Sequence, residues 1–246
     1  MPPVAAAAAT AATAATAADI AAPAALAEVL AHPALVRLGG GAGQLLAAPA
    51  VVPLAAPAAI PAWSRAELSG RLCELGPGRE PAVLTAAMAL VRDAQRTGEP
   101  AAWISLGNDL FYPPDAAAAG VDLAALPVVR AADLAAVGRA ADLLLRSGAF
   151  GLVVVDLLAA GERAVLPVPL QSRLVQLARR HDAAVLCLRR ARPEAPSLGS
   201  LVSLRAAATR RRVGDGRYLC RVDVRKDKRR GPGWSWQGVW RGPDGL

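Results

Sequence analysis

Two continuous apolar runs constrain this chain more than any other feature: Leu152-Val153-Val154-Val155, and the stretch from Ala183 through Val185 and Cys187 to Leu188. A strand with no polar alternate positions buries both faces, and such strands belong to parallel sheets covered on either side. Amphipathic helical segments precede them. The segment 133–146 places Leu134, Val137, Ala141, Leu144 and Leu145 on one side, and 169–180 is a second helix. Upstream, a strand at 72–75 leads into a helix over 81–96, with Val83, Leu84, Ala87, Met88 and Val91 on one face. Strands at 101–106 and 128–129 follow. Strands alternating with helices predict βαβ units, a mainly parallel sheet and an α/β fold. The end of the chain changes character. Segments 201–207, 218–225 and 234–241 read as three strands, and Arg221-Val222-Asp223-Val224-Arg225 alternates as a half-buried antiparallel strand does.

The remainder divides by composition. Residues 1–18 are Ala-rich and low in complexity, with no large apolar side chain to bury. Residues 19–62 combine an amphipathic helix with a linker. Ile20, Leu26, Val29 and Leu30 recur at helical spacing and form a candidate docking helix; Gly39-Gly40-Gly41 stops it. Pro49, Pro53, Pro57 and Pro61 then exclude a regular helix and predict a semi-rigid linker. The folded core is expected over 63–246.

The net charge of +8 is not spread evenly. From Leu204 onward there are 12 basic and 4 acidic residues, whereas the preceding part balances at 16 of each. That asymmetry favours an anionic partner for the C-terminal region, with nucleic acid first. The cysteines Cys73, Cys187 and Cys220 are scattered and form no CxxC, and His32 and His181 lie far apart. No metal site is expected, and a reducing cytoplasm fits best. No apolar run reaches membrane-spanning length without Pro, Gly or charge, and the N-terminal stretch lacks a signal peptide's basic start and apolar centre.

Four stretches in order resemble the RecA superfamily over roughly residues 63–240. Glu74-Leu75-Gly76-Pro77-Gly78 is a strand and Gly-rich turn where RecA-like proteins place the P-loop. Ala102-Trp103-Ile104-Ser105 is followed by Asn108-Asp109-Leu110-Phe111-Tyr112-Pro113-Pro114 and a Gly120-Val121-Asp122 turn. The run from Leu144 to Asp156 is similar to the helix, Ser-Gly turn and Walker B strand. Val222-Asp223-Val224-Arg225-Lys226-Asp227-Lys228 resembles the strand end of RecA. The resemblance is strongest to the degenerate branch called ImuA. It implies a RecA-like three-layer αβα core with a mainly parallel central sheet and antiparallel C-terminal edge strands.

A working P-loop needs G-x-x-x-x-G-K-[ST], in which Lys neutralises phosphate charge and the hydroxyl holds Mg²⁺. Here Pro81, Ala82 and Val83 occupy the positions of the second Gly, the Lys and the hydroxyl. Asp156 matches the Walker B aspartate, but Gly107 and Asn108 stand where the catalytic base would be. Gly76, Pro77, Gly78, Arg79 and Asp156 thus read as a nucleotide-site remnant, with no catalytic residue, ATPase activity or cofactor expected. Ser147 has no G-x-S-x-G setting, His181 next to Asp182 reads as surface, and nothing specifies Asp109 with Asp115 as an acid–base pair. The segments that replace the DNA-contacting loops are short, although Arg189, Arg190 and Arg192 could still meet phosphate.

The most unusual feature is the basic and aromatic C-terminal cluster: Arg210, Arg211, Arg212, Arg225, Lys226, Lys228, Arg229 and Arg230 beside Trp234 and Trp236, with Trp240 after them. Cations and aromatics together can grip single-stranded nucleic acid by phosphate contact and stacking. They can equally build a protein interface, or the indoles can cap the core while the arginines snorkel. By resemblance, the chain is expected to be a non-catalytic adaptor of SOS-induced, mutagenic translesion DNA synthesis in the cytoplasm or at the nucleoid. Its implied partner is a Y-family polymerase-like protein (ImuB-like), with RecA and single-stranded DNA as additional candidates. The alternatives are a SulA-like division inhibitor that binds FtsZ, and an ATP-binding switch without hydrolysis.

Overall fold

The computed structural model describes residues 62–107, 111–162, 164–192 and 194–241. All of them lie within the compact unit Ala56–Leu246. The Ala-rich stretch 1–18, the docking helix of Ile20, Leu26, Val29 and Leu30, and the proline linker up to Pro61 lie outside the described residues.

The elements run α1 (Arg65–Leu68), β1 (Arg71–Pro77), α2 (Val83–Arg96), β2 (Ala101–Leu106), α3 (Pro113–Ala118), β3 (Val128–Ala131), α4 (Leu134–Arg146), β4 (Leu152–Asp156), a 3₁₀ turn (Leu158–Ala160), α5 (Val168–Arg180), β5 (Ala184–Leu188), β6 (Leu204–Gly214), β7 (Arg217–Asp227) and β8 (Ser235–Arg241). One eight-stranded sheet takes the order β3-β2-β4-β5-β1-β6-β7-β8. The first six strands pair in parallel, and β6-β7 and β7-β8 pair antiparallel. This is the RecA-like α/β architecture that the resemblance implies, with its antiparallel strands at the C-terminal edge.

Alternation along the strands sorts side chains between two core layers. Cys73, Leu75, Trp103, Val154 and Leu186 face α2 and Trp63. Leu72, Ile104, Val153, Val155, Val185 and Cys187 face the other way, toward Leu145 of α4 and Leu174 of α5. Helical periodicity supplies the matching surfaces. In α2 the buried positions include Val83, Ala86, Ala87, Leu90, Val91 and Ala94, a stripe at three- and four-residue intervals. Each fully buried Leu, Val or Ile contributes about 1.5–3 kcal/mol relative to exposure, so the two layers are the main source of stability. The start of α4 is fixed by Asp133, whose carboxylate accepts the Ala136 N–H at 2.6 Å.

The structure differs from the sequence reading mainly at the C-terminal side. Arg210-Arg211-Arg212 are not turn residues beyond a strand ending near 207. They lie in β6, which runs to Gly214, because β7 pairs with it rung by rung: Thr209 with Arg221, Arg210 with Cys220, Arg211 with Leu219, Arg212 with Tyr218. The reversal is made by Asp215 and Gly216, with φ of 41° and 68°. Two consecutive positive φ values favour an Asp-Gly pair and match the twist of a hairpin. Helices α1 and α3 were not expected; both are short, and α3 begins on Pro113-Pro114, which suit a first helical turn.

Candidate functional site

The turn after β1 is where a nucleotide would sit in a working member of this fold class. In this chain it is stitched to the neighbouring strand. The N–H groups of Gly78 and Ala82 both donate to the Ala208 carbonyl, at 2.9 and 3.3 Å, and Arg210 N–H donates to the Glu80 carbonyl at 2.8 Å. Pro81 also bridges to Thr209. A phosphate cradle needs several backbone N–H groups pointing into one open space. Two of this turn's N–H groups are engaged by β6, and Pro81 has none. On the side toward β6 the turn is closely packed, since a Cβ placed on Gly78 would lie 2.1 Å from Thr209 Cγ2, while Pro77, Pro81 and Ala82 also line an open cleft. A Cβ on Gly76 would lie 2.8 Å from the Ala191 carbonyl oxygen. Pro77 is half-buried and Arg79 is exposed. Asp156 ends β4, with β5 between it and β1. It is buried, and its Oδ1 accepts the Leu158 N–H at 3.0 Å, which fixes the 3₁₀ turn.

The three arginines after β5 do not act together. Arg189 is buried, and its Nη1 reaches Glu74 Oε1 at 3.0 Å and the Pro196 carbonyl at 2.9 Å, while its Nη2 donates to the Glu162 carbonyl at 2.6 Å. Glu74 also meets Arg205 Nε at 3.2 Å, Ser197 Oγ at 2.7 Å and the Leu198 N–H at 2.8 Å. This buried centre fastens the loops after β4 and β5 to the sheet. Arg189 is therefore engaged inside the molecule, and Arg190 and Arg192 stand exposed.

The C-terminal basic cluster separates into two parts. One part is a latch around Asp227. Its carboxylate accepts from Arg71 Nη2, from the Arg229 and Arg230 N–H groups and from Trp234 Nε1 at 3.0 Å. Arg230 binds Glu67 through both Nε and Nη2, at 3.0 and 2.9 Å, Arg229 reaches the Ser69 carbonyl at 3.1 Å, and Lys228 Nζ reaches the Ser200 carbonyl at 2.8 Å. Burial by itself would raise the Asp227 carboxyl, but these donors hold it below the ordinary carboxylate value. The second part is the β6–β8 ribbon. Arg210 stacks over Tyr218 at 5.4 Å, and Arg211, Arg212 and Arg225 are exposed. Lys226 is half-buried, and that burial together with neighbouring Lys228 lowers its pKa.

The indoles turn inward. Trp236 pairs with Val222 and Trp240 with Tyr218, and Trp234, Trp236 and Trp240 all pack on the core layer beneath α2. Arg92 of α2 lies 5.0 Å over the Trp240 ring. The structure thus brings Trp234 together with Lys228–Arg230 through Asp227, leaves Arg210 and Arg212 on the same face as Trp236 and Trp240, and separates those indoles from Arg211 and Arg221 by the thickness of the sheet. Between α2, α3 and the ribbon lies a largely apolar cleft of about 570 Å³, bounded by Leu84, Met88, Tyr112, Tyr218 and Trp240 with Arg190 and Arg210 among its lining residues.

Sequence reasoning missed Glu74, Glu67 and Asp227, the acids that organise the basic residues. A signal existed for Glu74: a carboxylate inside an otherwise apolar strand, Leu72-Cys73-Glu74-Leu75, must find a cation. Among the described residues no group of His, Cys, Asp and Glu could hold a metal ion, and no helix is long and apolar enough to cross a membrane. Compared with protein-family models and with curated proteins, the chain finds no match.

Proposed function

We propose that this chain is a non-catalytic adaptor, a RecA-like domain that acts through macromolecular partners. The observation that carries the reading is the turn after β1, whose Gly78 and Ala82 N–H groups are bonded to Ala208 where a nucleotide phosphate would need them. The residue types agree, because Ala82 and Val83 offer neither a Lys nor a hydroxyl. The resemblance to ImuA supplies the setting: damage-induced translesion synthesis, a Y-family polymerase-like protein as the main partner, and RecA as a second. The cleft beside the ribbon, where half-buried Trp240 and Tyr218 stand with exposed Arg190 and Arg210, supports an interface role, since Trp, Tyr and Arg dominate protein hot spots.

An affinity pull-down with the tagged full-length chain from DNA-damaged cells, read by mass spectrometry, tests this. Recovery of the Y-family-like protein or an error-prone polymerase is expected. Recovery of FtsZ without them would replace the reading with that of a division inhibitor. Mg²⁺-dependent ATP hydrolysis by the purified chain would overturn the non-catalytic part, and saturable ATP binding without hydrolysis would replace the adaptor reading with that of an ATP-binding switch.

A further inference from the structure

The two faces of the β6–β8 ribbon are not equivalent. One packs Val222, Val224, Trp236 and Trp240 against the core. The residues alternating with them belong to neither core layer. Register fixes what this outer face carries. Arg211 stands beside Leu219, and Arg221 beside Thr209 and Gln237, while Arg217 lies one rung further out. Arg225 follows at the bulge in β7. All four are exposed, and a fifth exposed arginine, Arg241 of β8, pairs in register with Arg217. Arg211, Arg217 and Arg225 have no partner among the described residues, and Arg221 shares Asp223 at 2.8 Å, the single acid on this face.

The spacing is regular. Arg217, Arg221 and Arg225 follow one another at every fourth residue of β7, so about 13 Å separates neighbours, and Arg211 fills the first interval from the adjacent strand. Cations thus succeed one another at about 7 Å over the first steps, a spacing on the scale of successive phosphates along a nucleic-acid backbone. No aromatic side chain stands on this face, so it has neither a stacking platform nor the aromatic anchor typical of a protein hot spot. Guanidinium is the fork that fits a phosphate's oxygens.

We infer that the outer face of the β6–β8 ribbon binds the phosphate backbone of nucleic acid without stacking on bases and without reading sequence. This goes beyond the adaptor reading and concerns a different class of partner, so its failure would leave that reading standing. The test is fluorescence anisotropy with the full chain and three probes: labelled oligo-dT, an abasic strand of the same length, and poly-glutamate as competitor. The expected result is equal affinity for the first two, tryptophan fluorescence unchanged on binding, and a log–log salt slope near about −3 for four contacts at ~0.7 each. Arg211→Ala with Arg217→Ala should reduce the slope by about 1.4, which between ~50 mM and 1 M salt corresponds to roughly 60-fold weaker binding at the lower salt. Arg211→Lys with Arg217→Lys should retain binding, which separates lost charge from lost fold. Much weaker binding to the abasic strand, quenching of tryptophan, or unchanged affinity in the Ala variant would overturn the inference. Displacement by poly-glutamate as effective as by DNA would assign the face to acidic proteins instead.

Discussion

Replacing Glu74 by Ala removes the one anion at a buried centre and leaves the Arg189 guanidinium without a counter-charge. Both side chains are 2% exposed, so water cannot take over. The carboxylate accepts from Arg189, Arg205, Ser197 and the Leu198 N–H. Breaking a buried pair by deleting one partner costs about 3–5 kcal/mol, because the survivor is buried and unpaired. Against a total of about 5–15 kcal/mol for a folded domain, that is a large share. Arg189→Met should cost a similar amount, since the Pro196 and Glu162 carbonyls also lose their donor. The double variant Glu74→Ala, Arg189→Met should lose about as much as either single change, giving a coupling of about 3 kcal/mol between the two positions. Urea unfolding followed by the fluorescence of the buried Trp63 and Trp103 measures this, with the midpoint shifting and the m-value constant. A Glu74→Ala loss under about 1 kcal/mol, or strict additivity in the double variant, would refute the claim that this pair fastens the loops.

Three further outcomes are expected. Asp227, held below its ordinary value, contributes stability that is fully present above the unfolded pKa of 3.8 and is lost as pH falls through the folded one; Asp227→Asn should therefore be less stable at neutral pH and show a shallower acid decline in thermal unfolding from pH 7 to pH 2. Burial pushes the Cys73 thiol up to about 12, the Cys220 thiol up to about 11 and the Cys187 thiol higher still, so a thiol reagent at pH 8 should label none of them until denaturant is added, and rapid native labelling would contradict the buried sheet. Restoring the residue types of a working loop with Pro81→Gly, Ala82→Lys and Val83→Thr should not restore ATP binding, because Gly78 and residue 82 still donate to Ala208; a fluorescent-nucleotide titration checks it, and Mg²⁺-dependent saturation would show that side chains alone had been missing.

The layered α/β fold was legible in the chain because burial leaves local marks. The apolar run at β4 and the periodic face of α4 each sit within one short window, and both elements appear where expected, within a residue or two. The absence of the G-x-x-x-x-G-K-[ST] pattern after β1 could likewise be read directly, position by position. Less local features were not legible. The basic run from Arg225 to Arg230 looks uniform in sequence, yet Lys228, Arg229 and Arg230 are tied down by hydrogen bonds at the surface while Arg225 points to solvent. The acids that decide this lie far away along the chain: Glu67 is 163 residues from Arg230, and Glu74 is 115 residues from Arg189. Which side of a strand faces water is also set by register with partners, so the inward turn of Trp236 and Trp240 and the outward turn of Arg211 and Arg221 required β7 in place between them. The sequence by itself determined the layers, since hydrophobic burial follows from local period. Only the tertiary structure decided which charges build the fold and which remain on its surface, since the energy of an ion pair depends on a distance and a desolvation that no local pattern encodes.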